Sequence, residues 1–140
     1  MKGDNWERLS DDVYSFDMEC VEDDDIYAII LMHLAAMSKG GFEISNTISI
    51  VDHDNCEASV SFIHNKTKCN WKLSYNGDWF DCEVVNKVNQ LLQESNSSKF
   101  YYTCSPDQSL IVLFTSPEIA EQLNGIVSLP FILGASGITE

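Results

Sequence analysis

The sequence predicts a single α+β domain, an antiparallel or mixed sheet of about five to seven strands packed with three helices in the order β-α-β-β-β-α-β-β-α. Three observations lead there. A chain of 140 residues fits one domain, with 1–12 and 134–140 as loose tails. Its 44% hydrophobic and 11% aromatic residues can fill a core. Segments of period-two alternation are interleaved with apolar stripes of helical spacing, and the connections between consecutive strands are short.

The first strand is expected at Tyr14, Phe16, Met18 and Cys20, which alternate with Ser15, Asp17 and Glu19. Its outer face is then acidic. Asp23, Asp24 and Asp25 come next, where a helix N-terminus favours negative charge. The helix they open runs to about Ser38, and Lys39-Gly40-Gly41 stops it. Ile26 to Met37 is apolar nearly all round, so this helix should be central and covered on most sides.

Three strands follow as an antiparallel meander. Phe42, Ile44, Ile48 and Ile50 should share one face of Phe42 to Val51, and Asp52-His53-Asp54-Asn55 forms a polar turn. Ala58, Val60 and Phe62 mark the next strand; Trp71, Leu73 and Tyr75 mark the third, closed by Asn76-Gly77-Asp78. Asp81 reads as the N-cap of a helix whose stripe is Val84, Val85, Val88, Leu91 and Leu92.

Lys99 to Cys104 is the next strand. Leu110 to Phe114 is a continuous apolar run suited to a sheet centre. Ser116-Pro117-Glu118 combines an N-cap hydroxyl, proline at the first helical position and an acid in the first turn. Ile119, Ala120 and Leu123 should face inward, with Gly125 as the stop. A last short strand is expected within Ile126 to Leu133, interrupted by Pro130.

Charge supplies the functional signal. Lys+Arg 8 against Asp+Glu 22 leaves a formal net charge of -14. That balance argues against direct nucleic-acid binding and against an anionic membrane surface, so neither is expected as a partner. The start of the chain is acidic rather than cationic and apolar, and the longest apolar run is too short to span a bilayer, so a cytoplasmic protein is expected. Five cysteines, odd in number and without tight pairing, read as free thiols of a reducing compartment.

No motif specifies a reaction. Asp52-His53-Asp54 opens like a calcium loop, but Glu57 stands where the turn needs glycine and Ile63 where a bidentate glutamate belongs. His53, Cys56, His64 and Cys69 fail as a zinc set: Cys56 and His64 lie at opposite ends of one strand, roughly 26 Å apart. They read instead as buried thiols and surface imidazoles. No cysteine sits in a recognisable nucleophile signature and no glycine loop cradles phosphate. No catalytic residue, metal or cofactor is therefore assigned, and no enzyme is expected.

The sharper reading of the charge is an acidic face that captures a basic protein, helped by electrostatic steering. Its candidate residues are Asp17, Glu19, Glu22, Asp23, Asp24 and Asp25, with Asp52, Asp54 and Asp78 as a second cluster. Trp79, between a turn and the Asp81 cap, is the ring expected to be partly exposed and to anchor an interface.

From Asn76 onward the chain resembles small immunity-type proteins of bacterial polymorphic or contact-dependent toxin systems. The residues that carry this are Asn76-Gly77-Asp78-Trp79-Phe80-Asp81, Val88-Asn89-Gln90-Leu91-Leu92, the stretch Gln108 to Glu118, and Leu129-Pro130-Phe131. The resemblance implies an intracellular protein that neutralises one cognate, nuclease-like toxin. Two other readings remain beside the plain one, in which the acidity of a structural or accessory protein serves solubility alone. One is a DNA-mimic inhibitor, disfavoured by the acid-poor stretch from Ile26 to Thr47. The other is a small cytosolic enzyme or ligand-binding domain with a pocket between helix and sheet.

Overall fold

The computed structural model describes residues 13–125 and 131–135. The fold is α+β: among the described residues, three helices accompany seven strands in two antiparallel sheets. The strands are β1 (Val13–Asp17), β2 (Ser45–Asp52), β3 (Glu57–His64), β4 (Thr67–Leu73), β5 (Phe100–Cys104), β6 (Ser109–Thr115) and β7 (Ile132–Leu133). The helices are α1 (Ile26–Met37), α2 (Glu83–Glu94) and α3 (Pro117–Asn124). Two compact units result. One joins residues 13–17 to the described residues from Cys82 onward, and the other is Met18–Asp81.

In the first unit the sheet order is β1-β6-β5-β7. The apolar strand β6 is central, pairing with β1 through Phe16–Leu110 and with β5 through Tyr102–Leu113. Helix α2 packs on β5 and buries Val84, Val85, Val88 and Leu92, four of the five stripe residues. Each such side chain contributes about 1.5–3 kcal/mol of apolar burial. Helix α3 starts as its sequence predicts: the Ser116 hydroxyl accepts the Ile119 N–H at 3.3 Å and Pro117 is the first helical residue. Ala120 is buried, whereas Ile119 is exposed.

Three asparagines organise the end of this unit. Asn89, buried on α2, donates to the Tyr101 carbonyl and accepts the Tyr101 N–H, each at 2.9 Å. Asn86 does the same for Ala135 at 2.8 Å, and Asn124 for Phe131 at 2.9 and 2.7 Å. Each carboxamide supplies one residue with both the acceptor and the donor that a neighbouring strand would otherwise provide. Gly134 and Ala135, placed by the sequence at the start of a loose tail, are held here: Gly134 N–H donates to Tyr101, and Thr103 Oγ1 donates to the Gly134 carbonyl. The tail positions 1–12 and 136–140, and residues 126–130 of the expected last strand, lie outside the described residues.

In the unit Met18–Asp81, α1 packs on β2 and β3 of the meander β2-β3-β4. Its core includes Tyr27, Leu31, Leu34, Phe42, Val60 and Phe62. Helix α1 is covered along one side only, since Ile29 and Met32 are exposed. The expected shared face of Phe42, Ile44, Ile48 and Ile50 is broken. Asn46 takes φ 52 and the β2–β3 register shifts between Ser45 and Ile48, which reverses the alternation. Phe42 is buried, while Ile48 and Ile50 are 58% and 54% exposed. The first strand also ends sooner than its alternation suggests. After Asp17 the chain leaves β6, and Glu19 pairs with Trp79 instead. Asp81 falls one residue before the N-cap of α2, Cys82, whose side chain makes no capping hydrogen bond. Its carboxylate accepts the Ser74 N–H at 2.8 Å, and its own N–H donates to the Tyr27 hydroxyl.

Candidate functional site

The acidic residues come together because of the meander. Strands β2 and β4 both run antiparallel to β3, so they leave the sheet at the same end, just past the row Val51–Ala58–Leu73. The Asp52–Asn55 turn and the Tyr75–Trp79 segment therefore meet there. His53 Nδ1 and the Tyr75 hydroxyl share a short hydrogen bond, with their rings edge to face at 5.4 Å.

Burial raises the Tyr75 pKa above its usual range, and the charges of Cys56, Asp78 and Asp52 raise it further. The phenol consequently stays protonated, and both aspartates lie close enough to act on it. Asp52 is shifted the other way. The Asn55 side-chain amide, at 2.7 Å, is the main cause of its lowered pKa, aided by the N–H groups of Asn55 and Asp54 at 3.1 Å. A turn that stabilises this anion keeps a negative charge at the centre of the cluster.

Asp24 reaches the same end from the other direction. Its carbonyl accepts the Ser49 hydroxyl at 2.5 Å, and it lines a recess of about 350 Å³ with Asp52, His53 and Asp54. Glu19 is brought in by a short bridge: the Phe80 N–H donates to the Met18 carbonyl at 2.9 Å, and the Val21 N–H to the Asp78 carbonyl at 2.8 Å. Trp79, opposite Glu19, is 39% exposed while its neighbour Phe80 is buried. The ring picked out as the exposed one is thus exposed.

The structure joins Asp24, Asp52, Asp54 and Asp78 at one end, with Glu19 and Trp79 beside them. Glu22, Asp23 and Asp25 are exposed in the turn before α1. Asp17 belongs to the other unit, where its carboxylate accepts the Gln108 amide at 2.7 Å. Sequence reasoning missed His53 and Tyr75 as partners. Their contact follows from the register of the two hairpins, which no local spacing displays.

For the tested alternatives, His53 is exposed and Cys56 donates to the His53 carbonyl rather than to its ring. His64 is not a surface imidazole but 7% exposed, with Nδ1 donating to the Glu43 carbonyl at 3.1 Å and its ring 5.3 Å from Phe42. Among the described residues no group of three or more His, Cys, Asp or Glu side chains is placed to hold a metal, and no helix is long and apolar enough to cross a membrane. What the cluster can do is hold several fixed negative charges around a partly exposed indole. Comparison of the chain with protein-family models, with curated proteins and with solved structures finds no match.

Proposed function

We propose that this protein captures a basic protein partner through the acidic end of the unit Met18–Asp81, and that it acts inside the cell as an immunity-type inhibitor of a nuclease-like toxin. The observation that carries the reading is the convergence of Glu19, Asp24, Asp52, Asp54 and Asp78 around Trp79 and the His53–Tyr75 pair. Carboxylates on one end of a small unit speed encounter with lysines and arginines, and an exposed indole supplies apolar contact once they meet. Discrimination then comes from pairing, because a wrong partner leaves charges desolvated and unmatched.

The test is capture from the cytosol of cells that make the protein. The wild type is compared with a variant carrying Asp24→Asn, Asp52→Asn, Asp54→Asn and Asp78→Asn, and with a control carrying Glu94→Gln and Glu121→Gln in the other unit. A basic protein held by the wild type and the control but lost from the first variant supports the reading. A partner held equally by all three refutes it.

A further inference from the structure

A recess in the unit Met18–Asp81 lies away from the acidic end. It has a volume of about 770 Å³ and is lined by Met32, Ala35 and Ala36 of α1, Phe42 and Ile44 of the following loop, and Ile63 near the end of β3. That volume is in the range of small-molecule sites, roughly 300–1,000 Å³. It is also where α1 is left uncovered, with Met32 57% exposed.

Two charged residues line the same recess. Glu43 lies on the Gly40 side, its Oε2 3.7 Å from where a β-carbon on Gly40 would stand. Lys66 lies on the side of the β3–β4 turn. Both Asn65 and Lys66 hold positive φ there, 52° and 65°, a conformation glycine adopts more cheaply than lysine at the second position. The turn fixes where the Lys66 stem starts. The surrounding stretch from Ala58 to Gly77 contains no acid and three lysines, Lys66, Lys68 and Lys72, in a chain of net charge -14. Screening over about 8 Å at physiological salt leaves Lys66 on the turn side and Glu43 on the Gly40 side as the charges a bound group feels, so an anionic head is favoured at the Lys66 side and disfavoured at the Glu43 side.

We infer that this recess binds a small amphiphile: an apolar body lies against Met32, Ala35, Ala36 and Ile63, and an anionic carboxylate head pairs with Lys66. The site is independent of the acidic end, and neither inference rests on the other.

The experiment follows backbone amide shifts of the full chain during titration with decanoate and, separately, with decylammonium, both below micelle-forming concentrations. Decanoate is expected to shift the amides of Ala35, Ala36, Ile63 and Lys66 saturably. Lys66→Gln should weaken it about fivefold, the loss of one exposed ion pair, while Lys72→Gln leaves it unchanged. Ala36→Glu, at an exposed helix position, should weaken it as well by placing a carboxylate in the recess. The inference is overturned if decanoate moves none of these amides, if decylammonium saturates the same amides as tightly, or if both Lys66→Gln and Ala36→Glu bind like the wild type.

Discussion

Replacing Asn89 with alanine removes two hydrogen bonds at once. The Tyr101 N–H loses its acceptor and the Tyr101 carbonyl loses one of its two donors, since Gly134 N–H still reaches it at 2.9 Å. Tyr101 is fully buried, so its orphaned N–H carries a desolvation penalty of about 1–3 kcal/mol. The carbonyl, still bonded once, adds less. Asn89 lines a recess of about 390 Å³ with Gln90, Gln93 and Phe100, through which water can reach part of the gap. The expected loss is about 2–3 kcal/mol, read from urea denaturation, together with faster hydrogen exchange at the Tyr101 amide. Asn89→Asp keeps the acceptor but turns a carboxylate oxygen toward the carbonyl. It should be worse than alanine at neutral pH and recover as acid restores a donor, because burial and the facing carbonyl raise its folded pKa. A loss under about 0.5 kcal/mol for Asn89→Ala, or unchanged protection of Tyr101, would refute the strand-replacement argument.

Other outcomes follow from the same unit. Gly134→Ala places a β-carbon 2.0 Å from Asn86 Oδ1 at φ 66, so it should displace Asn86 and destabilise by about 2 kcal/mol or more, measured by thermal or urea unfolding. Ser116→Ala removes the α3 cap and should cost about 1 kcal/mol in the same assay. Burial raises the Cys104 thiol above its ordinary 9.0, and burial followed by the Glu118 charge raises the Tyr102 phenol above its ordinary 10.0. Both groups ionise more readily unfolded, so stability should hold through neutral pH and fall as pH rises through those ordinary values. A urea midpoint that is flat or rising over that interval contradicts this, and a Cys104 thiol as reactive as exposed Cys56 contradicts the burial behind it.

Much of the fold was legible because local patterns carry it. The apolar run of β6, the stripe of α2 and the Ser116-Pro117-Glu118 start each specify an element without help from distant residues. The misreadings share one cause. Asn46 inserts a register shift that turns Ile48 and Ile50 outward, and alternation alone cannot reveal a bulge. Asn86, Asn89 and Asn124 pair with backbone 49, 12 and 7 residues away, so nothing beside them in the sequence marks their role. Asp81 looks like a cap by position, yet Ser74 takes its carboxylate. The candidate site was half legible. Composition marked the acids, but hairpin register decided that Asp52 and Asp78 flank Tyr75 while Asp17 stands in the other unit.

The central claim is charge-driven capture, and its most direct measurement is the association rate with the basic partner as salt rises from about 0.05 M to about 0.5 M. Over that range the screening length falls from roughly 14 Å to roughly 4 Å. The account predicts a steep fall in rate for the wild type and a slower rate with a clearly shallower dependence for the variant with Asp24, Asp52, Asp54 and Asp78 changed to Asn. A wild-type rate that does not respond to salt, or the same slope in both proteins, would contradict it.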